Sequence, residues 1–326
     1  MIGNLAERSS KFGFRQLVRV SVVIGALLTS LSSSASAQTP VTGEPQEGKL
    51  AQARAYIAHG EFADAEEDLR DYLGSHPSDA EAEYLLAFAL FRENRPADSL
   101  QEYTQAARKR TPRAADLKTV ALDYVLLKDY ADAEHWIRYA LSMDPNDPEA
   151  WYEAGRIEYT LNYFRPALES FQRALQLDPG SVKAENNLGL AFAGLNRVDE
   201  AIAAYRKALA MQAGSPHPSE QPMLNLATVL IDRNQLDEAL PLLQQAAQIA
   251  PNDSKILAQL GRLHTERGDL DAARKALERA VAIEPRNSSL HFQLGQVYKK
   301  SGATEKAQAE FATTQKLMAD SSSSPK

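Results

Sequence analysis

An all-α fold built from repeated helical hairpins is what this sequence predicts, and three observations predict it. The segments EFADAEEDL (61–69), RPADSLQEY (95–103), DYADAEHWI (129–137), YFRPALESF (163–171) and RVDEAIAAY (197–205) recur every 34 residues, and a period of that size signals stacked supersecondary units. Within each period the eighth position is always Gly or Ala and the twentieth always small, while the twenty-fourth is large in every copy, from Leu69 and Tyr103 to Leu277 and Phe311. Small residues let two helix backbones approach, and the large one fills the space beside them. Gly60, Asn94, Asn162, Asn196, Asn234, Gly268 and Gly302 fall at mid-period, where a left-handed cap ends a helix. Pro77, Pro145, Pro179, Pro251 and Pro285 then close their periods and stop the second helix.

The elements follow in order. Lys11, Arg15 and Arg19 precede the short apolar run Val20 to Leu31, and small residues follow as far as Ala35-Ser36-Ala37. This is the layout of a secretory signal cleaved after Ala37. The twelve-residue apolar run contains two Ser and a Thr, too little to span a bilayer, which takes about 20 apolar residues. Residues 38–45 (QTPVTGEP) carry turn formers and no apolar period, and read as a linker. Eight units then start at 46, 80, 114, 148, 182, 220, 254 and 288 and end near 319, with a four-residue insertion at 216–219. Residues 320–326 read as a disordered tail.

Composition narrows the function. The 326 residues contain no Cys, which excludes disulfides, thiolate zinc sites and a catalytic thiol. The formal charge is −7, and it becomes −10 once residues 1–37 are removed. Such a balance argues against nucleic acid as a partner. The six His are scattered: His264 and His291 sit at packing positions, and His217 lies in the insertion. HExxH, GxSxG, phosphate-loop and GxGxxG patterns do not occur. Carboxylates are plentiful, but on helices of this kind they are expected to face solvent. No catalytic residue, metal site or cofactor is therefore expected.

The repeated positions resemble the tetratricopeptide repeat family, whose pattern is a Trp, a Leu-Gly, a Tyr, a later Ala and Phe, and a closing Pro. The fourth unit carries Trp151, Gly155, Ala167, Phe171, Ala174 and Pro179; the fifth carries Leu188-Gly189, Phe192, Ala201, Tyr205 and Ala208; the eighth carries Leu294-Gly295, Tyr298, Ala307 and Phe311. Thr111 and Ala213 depart from the closing Pro. The resemblance implies a right-handed superhelical solenoid whose first helices line a concave groove. It also implies that positions two, five, six, nine, twelve and thirteen of each unit meet the partner.

On that implication, position six supplies Asn187, Asn225, Gln259 and Gln293, an uninterrupted run of carboxamides. Each amide has a donor and an acceptor and can pair with an extended peptide whatever its sequence. The row is similar to the asparagine ladder in the repeats of O-linked N-acetylglucosamine transferase. Position two adds Lys183 and Lys255, and position nine adds Arg156 and Arg262. Lys183, Asn187, Asn225 and Lys255 also resemble the carboxylate clamp of chaperone-binding members, but Gln259 stands where that clamp needs a base. In the earlier units Glu47, Glu81, Glu149 and Glu153 make the face acidic, and Tyr84, Phe88, Phe91, Tyr152 and Tyr159 add aromatic surface. The expected function is a non-enzymatic scaffold, exported to the cell envelope or beyond, that binds proteins or extended peptides on this face. A self-associating assembly factor is the alternative, and a hydrolase with a site in the groove is a distant third.

Overall fold

The computed structural model describes residues 44–323. The leader expected at 1–37, and the start of the linker, lie outside the described residues. Every regular element among the described residues is a helix, and the sixteen helices run in consecutive pairs. They are α1 Glu44–His59 with α2 Phe62–Ser75, α3 Ala80–Arg92 with α4 Pro96–Lys109, α5 Ala114–Leu126 with α6 Tyr130–Met143, and α7 Pro148–Thr160 with α8 Phe164–Leu177. Then come α9 Val182–Gly194 with α10 Val198–Met211, α11 Gln221–Asp232 with α12 Leu236–Ile249, α13 Ser254–Arg267 with α14 Leu270–Ile283, and α15 Ser288–Lys300 with α16 Thr304–Ser323. Two compact units divide the chain after Leu177, so α1–α8 form one and α9–α16 the other.

Local chemistry sets the helix boundaries. Asp79, Asp147 and Asp253 each accept bonds from two backbone N–H groups of the helix they precede, at 2.7–3.1 Å. Those donors have no partner within the helix, so the cap is satisfied by side chain rather than water. At mid-hairpin the backbone turns left-handed at Gly60, Asn94, Asn162, Asn196, Asn234, Gly268 and Gly302, the seven positions the sequence predicts. The third hairpin uses Lys128 instead, at φ 59°. Lysine has no local preference for that conformation, so the requirement comes from the repeat frame and not from the residue.

Inside each unit, helices touch their hairpin partner most and the next hairpin after that. The buried layer follows the repeat positions. Ala53, Ala65 and Leu69 are fully buried, as are Ala121, Ala133 and Ile137 in the third hairpin and Ala227, Ala239 and Leu243 in the sixth. This is nearest-neighbour packing, in which each hairpin buries its apolar face only against those beside it.

Two boundaries differ from expectation. The first helix begins at Glu44, inside the expected linker. The last continues to Ser323, so residues 320–323 are helical rather than part of a disordered tail. No Pro or Gly falls between Thr304 and Ser323 to break the helix. The insertion has its own anchor. Buried Gln212 donates from Nε2 to the Ser219 carbonyl at 2.8 Å, and its Oε1 accepts from the Ser219 N–H at 2.9 Å. His217 stands exposed within that loop.

Candidate partner-binding surface

In the second unit the first helices of successive hairpins touch one another, α9 with α11, α11 with α13 and α13 with α15. This places position six of each hairpin on one continuous helical layer. Asn187, Asn225, Gln259 and Gln293 are all half-buried, while Lys183 and Lys255 are exposed. The amides are not an even ladder. Asn225 donates from Nδ2 to Oδ1 of Asn186 at 2.9 Å, so its amide is tied to the buried neighbour of Asn187. Asn186 occupies position five, which the family resemblance also implies meets a partner, and nothing in the position-six pattern points to it. Gln293 reaches Ser289 Oγ at 3.4 Å, a long contact. Gln259 Oε1 is buried with no hydrogen-bond donor among the described residues.

The cations on this face differ in availability. Arg262 bonds Asp232 at 2.7 Å and Glu266 at 3.0 Å, and these carboxylates hold its guanidinium firmly protonated although burial opposes that. Its charge is therefore already balanced. Lys255 projects at the start of α13 and contributes only a weak field on Glu284.

In the first unit, Tyr152 and Arg156 lie together on α7. The Arg156 guanidinium stands 5.8 Å from the Tyr152 ring centre, and that ring packs 6.0 Å from Phe171 at a tilted angle. Arg156 also pairs with Glu153 at 2.9 Å. The expected acidic face is consequently corrected. Glu153 is buried and neutralised by Arg156. Glu81 is held by Arg110 at 3.0 Å and by Arg113 at 3.4 Å. Glu47 falls outside the described side chains. Tyr84 is buried as well, its hydroxyl donating to the Arg110 carbonyl at 2.6 Å, whereas Phe88, Phe91, Tyr152 and Tyr159 stay half-buried.

Titratable chemistry gathers in the core instead. Asp123 and Glu158 are fully buried, a placement at odds with acids expected to face solvent. Burial pushes the Glu158 carboxyl upward against the opposing pull of Ser170 and Arg138. Ser170 Oγ donates to Glu158 Oε2 at 2.7 Å, and Arg138 Nη2 contacts Oε1. A cavity of about 390 Å³ beside this cluster is lined by Arg138, Trp151, Arg173 and Gln176 among others. Among the described residues no group of three His, Asp or Glu is placed to hold a metal ion. His291 is buried, with Nδ1 2.6 Å from Glu310 and Nε2 donating to the Pro285 carbonyl at 3.0 Å; His264 lies 3.6 Å from Asp269. No described helix is long and apolar enough to cross a membrane.

Comparisons with known proteins agree with this architecture. Two family models, each described as tetratricopeptide repeat, match the chain in overlapping stretches. One covers residues 50–115, 121–164 and 159–216, and the other 193–263, 230–285 and 264–323. Among solved structures, a tetratricopeptide repeat protein from Parabacteroides merdae superposes with a TM-score of 0.63 at 16% identity, over 78% of this chain and 99% of that one. PilW, described as a widely conserved type IV pilus biogenesis factor, gives a TM-score of 0.57 at 26% identity, over 65% of this chain and 94% of its own. The Cut9–Hcn1 assembly gives 0.62 at 15% identity over 85% of this chain, which spans about half, 54%, of that partner. No curated protein matches the chain. With matches running from residue 50 to residue 323, the chain belongs to the tetratricopeptide repeat family.

Proposed function

We propose that this chain is a non-enzymatic scaffold, exported to the cell envelope or beyond it, that holds partner proteins or extended peptides on the first-helix face of its second unit. The observation that carries the reading is the row of half-buried amides on α9, α11, α13 and α15, flanked by exposed Lys183 and Lys255. Gln259 Oε1 is shielded and has no donor among the described residues, and turning this half-buried amide outward would let a peptide N–H satisfy it. Family membership supports binding over catalysis, since repeats of this kind present extended surfaces rather than closed pockets. The leader read at 1–37 supports export, with Gln38 as the mature start. Similarity to PilW supports a role in assembling an envelope structure.

Affinity capture from envelope extract, with residues 38–326 as bait, tests this reading. A partner should be retained by the parent chain. It should be lost, by roughly tenfold or more in affinity, when Asn187, Asn225 and Gln259 are replaced together by Ala, given about 0.5–1.5 kcal/mol for each hydrogen bond removed. Unchanged capture by the triple variant would move the binding surface elsewhere.

A further inference from the structure

Two exceptions to the repeat pattern meet across one hairpin junction. The tenth position of each repeat is Ala, Ile, Val or Leu in seven copies, and in the third copy it is Asp123. The twentieth position is Ala in seven copies, and in the second copy it is Ser99. Both side chains are fully buried. Ser99 on α4 places its Oγ 2.6 Å from Asp123 Oδ2 on α5 and 2.9 Å from the Ala87 carbonyl oxygen on α3. Departures from an apolar pattern that occur as a matched, contacting pair point to a specific interaction rather than to drift at either site.

The proton count decides the state of the pair. Ser99 has one O–H, and the Ala87 carbonyl can only accept. If Ser99 donates to Ala87, its contact with Asp123 needs a proton on the carboxyl. A neutral Asp123 therefore completes a chain from Oδ2 through Ser99 Oγ to the Ala87 oxygen, spanning three helices. An ionised Asp123 would break that chain and strand charge on Oδ1, which has no hydrogen-bond partner. The ionisable groups buried on the surrounding helices are Glu83 and Tyr84 on α3, Tyr103 on α4, Asp116 and Tyr124 on α5, and Asp132 on α6. Lys109, Arg110 and Arg113, at the opposite ends of α4 and α5 from Ser99 and Asp123, pair with Glu83, Glu81 and Asp116. Among the described residues Ser99 is the one side chain bonded to Asp123 and no charged group acts on its carboxyl, so no cation offsets a buried Asp123 carboxylate.

We propose that Ser99 and Asp123 form a proton-dependent lock across the junction of the second and third hairpins, closed while the Asp123 carboxyl is neutral. Burial, opposed only by the Ser99 hydrogen bond, pushes this carboxyl from the ordinary 3.8 to about 8. The unfolded chain releases the proton near 3.8 and the folded chain keeps it, so the folded state binds the extra proton between those values. The lock is fully stabilising below about pH 4. It weakens as pH rises and is spent above about pH 8.

The experiment compares the full chain with its Asp123→Asn variant in urea titrations from pH 5 to pH 9. Asn offers an N–H to Ser99 Oγ and cannot ionise. The unfolding constant of the parent relative to the variant should rise about tenfold per pH unit up to the upper value, then level off. A ratio that stays constant across this range overturns the proposal. Carboxyl ¹³C NMR gives a second reading on the parent chain. The Asp123 signal should titrate above pH 6, and a midpoint below pH 5 overturns the lock. If the Asn variant fails to fold, a Ser99→Ala/Asp123→Val chain replaces it as the reference. That pair restores residue types used by other copies, and it too should lack the pH-dependent component.

Discussion

Replacing Arg138 by Met is expected to destabilise the third and fourth hairpins by about 1–3 kcal/mol at neutral pH, between the loss for an exposed ion pair and that for a fully buried one. Glu158 is the reason. Its side chain is fully shielded from solvent, whereas that of Arg138 is 41% exposed. The arginine reaches in from α6 and keeps much of its hydration, while the glutamate has given up all of its own. Met preserves the aliphatic stem and removes the charge, leaving Glu158 with the Ser170 hydroxyl alone.

The loss should depend on pH in a fixed direction. Burial already holds the Glu158 carboxyl above the ordinary 4.5, and Arg138 is one of the two groups pulling it back. Without Arg138 the folded variant clings to its proton more strongly, so its deficit grows as pH rises and shrinks toward pH 4.5. Trp136 and Trp151, the only two tryptophans in the sequence, lie on α6 and α7 around this cluster. Their fluorescence during urea titration at pH 5 and pH 7.5 reports the local event. Equal losses at both values would show that packing of the stem, not charge, was removed. A second substitution separates the two further. The eleventh position, where Glu158 stands, is Leu in the second and sixth copies, as Leu90 and Leu230. Arg138→Met combined with Glu158→Leu should therefore recover most of the stability or exceed the parent, because an apolar exchange avoids desolvating two charges.

These buried acids also mark where the sequence stops being readable. What the 34-residue frame decides locally was legible: hairpins, the seven glycine or asparagine caps, and closing prolines all follow from one residue and its immediate neighbours. Lys128 shows the limit, since nothing in lysine asks for a left-handed turn and only its place in the frame does. Asp123 and Glu158 read as surface acids because acids on helices usually are. Their burial depends on Ser99 and Arg138, each one hairpin back in the chain. The candidate surface behaves the same way. The row of amides could be read from position six, but the Asn225 bond to Asn186 and the balancing of Arg262 by Asp232 and Glu266 depend on side-chain directions that spacing does not encode.

Gly155 is the position where frame and packing can be tested together. A Cβ there would lie 2.6 Å from Cε1 and 2.7 Å from Cδ1 of Phe171, well inside contact distance. The same clash stands between Gly189 and Tyr205, between Gly261 and Leu277, and between Gly295 and Phe311, at 2.5, 2.5 and 2.7 Å. In a free helix, Ala in place of Gly would gain about 1 kcal/mol. Here Gly155→Ala is expected to lose up to about 2 kcal/mol net, because forcing the Phe171 ring aside in a full core costs about 1–3 kcal/mol and offsets or outweighs that gain. Leucine alone is no guarantee of room, since Leu277 meets Gly261 as closely, but Ala53 opposite Leu69 and Ala227 opposite Leu243, all fully buried, show an Ala–Leu pair that fits this frame. Gly155→Ala with Phe171→Leu should therefore cost less than the sum of the two single changes by about 1 kcal/mol or more, a coupling readable from a double-mutant cycle in urea. Strict additivity would mean that Phe171 relaxes freely, and that close approach at position eight is not what sets the spacing between α7 and α8.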